Sequence, residues 1–236
     1  MSIYPPALLV VFAHHDDETF RCGGTLALLA QRGVQVQVLT ATRGQAGSCG
    51  DPPLCSRDDL PGVRERELQC ACAALGLEPP RLLDYQDGQL AEADRETIIA
   101  EILAVIREVQ PKVILAYGPE GVSGHPDHIA IGQFAAEAFR RADDVAALYT
   151  IAVPQSLATT LGMTQIHAVP DETISLTVDV LRAWEQKMSA IRCHATQLSS
   201  SPMMSAPEQR QRVFLGTEYF VRAACRQIDL DFLGEL

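Results

Sequence analysis

Between residues 7 and 141 the chain alternates four times between a short aliphatic run and a longer amphipathic stretch, and that alternation limits the folds open to it. The runs at 7–13 (ALLVVFA), 34–42 (VQVQVLTAT), 81–85 and 112–118 (KVILAYG) read as strands. The stretches at 23–32 (GGTLALLAQR), 61–76, 94–109 and 126–141 read as helices, with Pro at a start and Gly at a stop. Strands separated by helices cannot pair as hairpins. They predict an α/β fold: a Rossmann-like, mostly parallel sheet with helices on both faces. After residue 142 the pattern weakens. Strands are expected at 146–153 and 173–178, a helix at 180–194, and a Ser/Pro/Met loop at 198–207. With 236 residues, 47% of them hydrophobic, the chain suits a single domain over residues 1–236.

In such sheets the chemistry sits beyond the carboxyl ends of the strands. Two polar clusters occupy that place. His14, His15, Asp16, Asp17 and Glu18 follow the first strand, and PEGVSGHPDH follows the strand at 112–118. Adjacent carboxylates at an apolar mouth repel one another and resist desolvation, so a bound cation is the simplest compensation. His14 and Asp17 are three apart, as are His125 and His128 in the first turn of a helix, where i and i+3 share a face. Converging, the two pairs could supply three ligands to a catalytic zinc and leave acid–base groups over, with iron, manganese or cobalt as competitors. The first cluster read alone is a polar loop in which Glu18 and Thr19 cap the next helix. Glu18 is expected to support the loop. A nucleotide-binding module with magnesium at the acidic loop would need a phosphate-cradling turn, and HHDDETFRCGG has neither G-x-G-x-x-G nor G-K-[ST].

The net charge of −11 disfavours nucleic acid and anionic membranes as partners. No apolar stretch reaches spanning length, and the run at 7–13 lacks the basic flank of a signal. The seven cysteines include no C-x-x-C pair. Cys49 and Cys55 could pair under oxidation, but free thiols and a cytoplasmic setting are the expectation.

AHHDDE and GHPDH resemble the two signature motifs of the PIG-L/LmbE-like family of metal-dependent N-acetylglucosamine deacetylases. RGQAG at 43–47, RERELQCACAALG at 64–76, DGQL at 87–90 and KMSAIRCHATQ at 187–197 resemble further segments of that family. The resemblance implies an LmbE-like fold and a zinc-dependent N-deacetylase. It implies His14, Asp17 and His128 as metal ligands and Asp16 as general base. It puts His125 near the substrate carbonyl, as oxyanion stabiliser or as acid toward the departing amine, with Asp127 orienting a histidine, His125 being the one expected. Acidic neighbours raise histidine pKa values, so a charged His125 is expected. Arg64 and Asp87 fall where similar proteins contact sugar hydroxyls. Arg64 could otherwise pair with Glu67, and Asp87 could simply be a turn residue. His194 either lines the cleft, as a substrate-binding residue, or ends a helix where a cation suits the dipole. The implied substrate is a small acetylated amino sugar, such as GlcNAc-malate or GlcNAc-inositol of a low-molecular-weight thiol pathway. An amidase acting on a non-sugar or thiol-conjugate amide is the alternative. Members of the family often assemble, so a homo-oligomer is possible. Three departures stand out. His15 replaces the usual proline and is expected as a fourth ligand or a solvent-facing ring. Gln45 replaces a glutamate, and Ser123 lies near where some members carry a tyrosine.

Overall fold

A computed structural model describes residues 5–236. The strands are β1 (Ala7–Phe12), β2 (Gln35–Thr42), β3 (Arg81–Tyr85), β4 (Val113–Tyr117), β5 (Ala147–Ala152), β6 (Leu176–Asp179) and β7 (Thr217–Cys225). The helices are α1 (Asp17–Phe20), α2 (Gly23–Gln31), α3 (Leu60–Leu75), α4 (Arg95–Val109), α5 (Pro126–Arg141), α6 (Gln155–Leu161), α7 (Trp184–Cys193), α8 (Ala195–Leu198) and α9 (Glu208–Leu215). One seven-stranded sheet has the order β3-β2-β1-β4-β5-β7-β6. Its first five strands are parallel, and β7 runs antiparallel to both β5 and β6.

Every residue of β1, β4 and β5 is buried, whichever way its side chain points, so the centre of the sheet is covered on both faces. α2, α3 and α7 pack against one another in one layer, and α4 and α5 in another. Leu26, Leu29 and Leu68 of these layers and Leu8, Leu9, Phe12 and Leu39 of the sheet are buried in one core. Gly132 lets α5 lie close on β4, because a Cβ there would stand 2.6 Å from the Tyr117 carbonyl oxygen. Among the described residues no helix is long and apolar enough to cross a membrane.

The order of the sheet places the site. β1 leads to β2 on one side, while its other neighbour is β4, registered Leu8 to Val113 and Val10 to Leu115. The chain therefore changes winding direction between β1 and β4, which opens a crevice at their carboxyl ends. The two polar clusters leave the sheet there, side by side.

The amino-terminal elements match the sequence expectation within a residue or two. The carboxyl-terminal part differs. The expected strand at 173–178 is shifted to Leu176–Asp179, and the expected helix at 180–194 starts as a short 3-10 turn before α7. α8 ends at Leu198, the first residue of the expected loop at 198–207, and Met203 and Met204 within that loop pack on the apolar cluster of Trp184, Met188 and Phe214. α6, α9 and β7 had no expectation. The free-thiol reading holds for Cys49 and Cys55 and is corrected for two others: Cys70 of α3 and Cys193 of α7 form a disulfide with their Cα atoms 5.7 Å apart. The pairing joins helices 123 residues apart in sequence, so no local pattern announces it. Cysteine usage then no longer argues for a reducing compartment.

Candidate metal centre and active site

The turn after β1 is built by its own carboxylates. The His14 N–H donates to Asp17 Oδ2 at 2.9 Å, and the Asp16 N–H donates to Glu18 Oε2 at 3.0 Å. The Asp16 carbonyl accepts from the Thr19 N–H and hydroxyl at 3.0 and 2.8 Å. Asp16 itself has φ 103°, a left-handed conformation uncommon for a residue with a side chain.

Across the crevice, a loop with positive φ at Gly121, Val122 and Gly124 delivers His125 to the N-terminal cap of α5. Its Nδ1 accepts the Asp127 N–H at 3.2 Å, which leaves the ring proton of neutral His125 on Nε2. His128 stands one turn on. Its Nδ1 donates to the Gly121 carbonyl at 3.1 Å, with the Ser123 hydroxyl at 3.2 Å, so its Nε2 carries a lone pair. His14 Nε2 faces two carboxylate oxygens, Asp87 Oδ1 at 3.1 Å and Asp127 Oδ2 at 3.2 Å, and must donate. The His14 lone pair is therefore on Nδ1.

These assignments bring two imidazole lone pairs to the two oxygens of the Asp17 carboxylate. His14 Nδ1 lies 3.1 Å from His128 Nε2, His128 Nε2 lies 3.4 Å from Asp17 Oδ1, and His14 Nδ1 lies 3.9 Å from Asp17 Oδ2. Ligands of a tetrahedral zinc stand about 3.4 Å apart, given bonds of about 2.0–2.1 Å. Two imidazole lone pairs facing each other beside a carboxylate repel unless a proton or a cation lies between them. Two further groupings meet in the same cleft. The rings of His14, His125 and His128 offer nitrogens within 4.8 Å of one another, and so do His14, Asp87 and Asp127 their nitrogen and oxygens. In the latter the carboxylates already serve as acceptors of the His14 N–H, which is the arrangement that orients a ligating imidazole.

The electrostatics follow the same lines. Burial opposes charge on His14, but its hydrogen bonds to Asp127 and Asp87 and the Asp17 charge outweigh it and push the ring up to about 10. Burial likewise raises the Asp17 carboxyl, and there His128, His14 and the Tyr117 hydroxyl prevail and hold it below its usual range. Asp16 is a quarter exposed in the cleft. Desolvation and the charge of Asp17 nevertheless raise it to about 6 against the pull of Arg64.

The cleft, of about 400 Å³, is lined by His14, Asp16, Asp17, Arg64, Asp87, His125 and His128, together with Tyr117 and Arg21. Arg64 is buried: Nη1 donates to the Gly44 carbonyl at 3.1 Å, and Nη2 donates to the His15 carbonyl and lies 3.4 Å from Asp16 Oδ2. Gly44, at φ 67°, leaves room for it, since a Cβ would stand 2.4 Å from Nη1. The pairing of Arg64 with Glu67 does not occur, because the Glu67 carboxylate accepts from the Thr196 N–H and hydroxyl at 2.8 and 2.7 Å. Asp87 bonds both His14 and the Ala46 N–H, the latter at 3.0 Å, and is more than a turn residue.

Four expectations change. The Asp127 carboxylate orients His14, and not His125: it is fully buried and takes the Gly88 and Leu90 N–H groups at 2.7 and 3.0 Å as well as the His14 ring. His125 is lowered, and not raised, because burial and the neighbouring His14 and His128 rings outweigh Asp127 and Asp87. His194 does not line the cleft. It is fully buried, and its Nε2 donates to Glu18 Oε1 at 2.7 Å. His15 is neither a ligand in the cluster nor solvent-facing. It is fully buried with no hydrogen-bond partner on either nitrogen, and burial, with Arg64 and two histidines nearby, lowers it to about 3.

Sequence reasoning missed Tyr117, whose hydroxyl donates to Asp17 Oδ1 at 2.6 Å and whose ring stacks on His128 with centroids 4.0 Å apart. At the end of KVILAYG it looked like core. Its place as the last residue of a strand beside β1 was the available signal.

The sequence profile of the family described as GlcNAc-PI de-N-acetylase (PIG-L) matches residues 9–139. The chain is 32% identical over 257 residues to a 1D-myo-inositol 2-acetamido-2-deoxy-alpha-D-glucopyranoside deacetylase of Acidothermus cellulolyticus, covering 91% of this chain and 88% of that one. It is 35% identical over 231 residues to a protein of the same name from Actinosynnema mirum, covering 83% and 82%. Among solved structures, the fold is similar to that of N,N'-diacetylchitobiose deacetylase from Pyrococcus horikoshii, with TM-score 0.70, 20% identity, and 91% and 82% of the two chains covered. It is equally similar to GalB, a 4-carboxy-2-hydroxymuconate hydratase from Pseudomonas putida, with TM-score 0.70, 21% identity, and 94% and 97% covered. At those identities the structural likeness speaks for the fold alone.

Proposed function

The chain belongs to the GlcNAc-PI de-N-acetylase (PIG-L) family, and from that premise we propose that it is a zinc-dependent hydrolase removing the acetyl group of an N-acetylglucosamine conjugate, with GlcNAc-inositol as the foremost substrate. The observation that carries the metal reading is the convergence of His14 Nδ1, His128 Nε2 and the Asp17 carboxylate within 3.9 Å. Two nitrogens and a carboxylate are a donor set that suits zinc and leaves a coordination position open. The substrate follows the relatives, which carry the name of an enzyme acting on GlcNAc-inositol.

Zinc bound there would lower the pKa of a water toward ~7 and polarise the acetyl carbonyl. The remaining work falls to the chain. Asp16, anchored by Arg64, accepts the proton of the attacking water and later passes it to the departing amine nitrogen, so that acetate and a free amine result. His125 offers its Nε2–H to the oxyanion that develops on the acetyl carbonyl oxygen. A neutral imidazole serves, because the donor is positioned before charge appears. Asp127 and Asp87 hold the His14 ring with Nδ1 toward the cleft. Arg64 and Asp87 border the space left for the sugar.

The test combines metal analysis with turnover. Asp17→Ala and His128→Ala are expected to lose zinc, while Asp16→Ala keeps zinc and loses amine release from GlcNAc-inositol. Full activity in metal-free protein, or in Asp16→Ala, would overturn the mechanism. A panel of acetylated sugars and acetylated thiol conjugates separates the sugar substrate from a non-sugar amide.

A further inference from the structure

The mechanism leaves one buried pair unused. Glu18 and His194 are both fully buried, and neither borders the cleft. The two oxygens of Glu18 are divided between two donors. Oε2 accepts the Asp16 N–H at 3.0 Å, and Oε1 accepts from His194 Nε2 at 2.7 Å. Asp16 is the residue whose φ of 103° departs most from ordinary backbone, outside glycine, among the described residues. A side-chain-bearing residue keeps such a conformation only where its surroundings enforce it. Within the turn Thr19 holds the Asp16 carbonyl, and two other elements reach Asp16 from outside it. From α3, Arg64 reaches the Asp16 carboxylate at 3.4 Å and also the His15 carbonyl. From the end of α7, His194 reaches the Asp16 N–H through Glu18. The Cys70–Cys193 disulfide ties the two helices together one residue before His194.

We propose that His194 is a positioning residue for the general base: by fixing the Glu18 carboxylate under the Asp16 N–H, it holds Asp16 in the left-handed turn that points its carboxylate into the cleft. Without the acceptor beneath it, the Asp16 peptide is free to relax toward ordinary φ. The Cβ direction then changes, and the carboxylate swings off Arg64 and out of line with the attacking water. Errors of about 1 Å in such a group cost on the order of a hundredfold in rate.

The inference rests on Asp16 being the base, and the experiment separates the two ideas. Zinc-loaded wild type, His194→Ala, His194→Gln, Asp16→Asn and the Asp16→Asn/His194→Ala double variant are compared for kcat, KM, zinc content and amide hydrogen exchange. His194→Ala is expected to lower kcat roughly tenfold to a hundredfold, with KM and zinc content little changed. The Asp16 amide should exchange faster. His194→Gln, whose amide nitrogen can still donate to Glu18, should recover most of both losses. In the Asp16→Asn background, His194→Ala should take away nothing further, because residues acting through one group are not additive. Additive losses, or an Asp16 amide as protected in His194→Ala as in wild type, would overturn the positioning role. Full activity in Asp16→Asn would instead remove the base reading, and the exchange result would still decide whether His194 holds the turn. Should His194→Ala fail to fold, His194→Gln decides. Protection and kcat near wild type support the proposal, and a loss of kcat with protection intact refutes it.

Discussion

Replacing Asp127 separates the geometry seen here from the partner first expected for it. The Asp127 carboxylate is fully buried and accepts three N–H groups: Gly88 at 2.7 Å, Leu90 at 3.0 Å and the His14 ring at 3.2 Å. Asp127→Ala removes both acceptor oxygens and with them all three bonds. The Gly88 backbone is exposed enough to find water, but Leu90 is fully buried, and its stranded N–H should cost about 1–3 kcal/mol of stability. The ring of His14 loses one of two orienting carboxylates, since Asp87 remains at 3.1 Å. Loss of an orienting partner weakens metal binding about 10–100-fold. With Asp87 still present the lower end applies, about 1.4 kcal/mol, and a double Asp87/Asp127 replacement should approach the upper end. In Asp127→Asn the amide oxygen can keep Gly88 and His14 while its NH2 confronts Leu90. That variant should lose stability but hold zinc more tightly than Asp127→Ala. Urea unfolding and zinc competition against a chelator measure the two quantities. If Asp127 served His125 instead, zinc affinity would be untouched and only turnover would fall. That pattern in Asp127→Ala refutes the assignment.

Two further outcomes are expected. In metal-free protein His14 is raised from 6.5 to about 10, so the proton it binds contributes stability that is complete below pH 6.5 and is lost as pH rises toward 10. The melting temperature of chelator-treated protein should therefore fall across that window, while zinc-loaded protein, with the lone pair occupied, should show no such fall; parallel curves count against the reading. Cys70→Ser opens a loop closed across 123 residues, for which chain entropy sets a limit of roughly 5 kcal/mol. Its urea midpoint should drop to that of wild type treated with dithiol reductant, and equal midpoints for oxidised and reduced wild type would show that the bridge carries no stability.

What the sequence could reveal was set by where its anomalies lie. Carboxylates at the end of ALLVVFA are conspicuous because nothing apolar explains them, and histidines three apart after a Gly-Pro-rich loop are conspicuous for the same reason. The alternation of strand and helix placed both at one edge of a parallel sheet, and the pairing of β1 with β4 makes them neighbours. Partner assignment was less accessible. The Asp127 carboxylate turns to His14 because the Gly88 and Leu90 N–H groups wait on that side, and they belong to a turn after β3 that no spacing rule links to α5. β7 escaped notice because TEYFVRAAC neither alternates cleanly nor runs apolar. It is inserted antiparallel between two strands that precede it, which needs no helical crossover. His194 and Cys193 are set by how α7 ends against α3, a tertiary fact with no local period.

The charge inventory of the crevice explains why a proton and a metal compete for one place. Asp16, Asp17, Glu18, Asp87 and Asp127 gather around the end of β1; of the two arginines lining the cleft, Arg64 is committed to Asp16, and Arg21 donates to the Phe214 and Ala152 carbonyls. Glu18 is offset by His194, and Asp87 and Asp127 both lean on His14. Asp17 is left with two imidazoles that are needed as lone-pair donors and a tyrosine hydroxyl as its neutral partner. The site is thus short of positive charge at the point where His14 Nδ1, His128 Nε2 and Asp17 meet. A proton on His14, held against burial chiefly by the hydrogen bonds to Asp127 and Asp87 with the Asp17 charge adding to them, makes up part of the shortfall in metal-free protein. A divalent cation would supply more charge and relieve the facing lone pairs at once, so zinc affinity should rise with pH over the range in which that proton is lost.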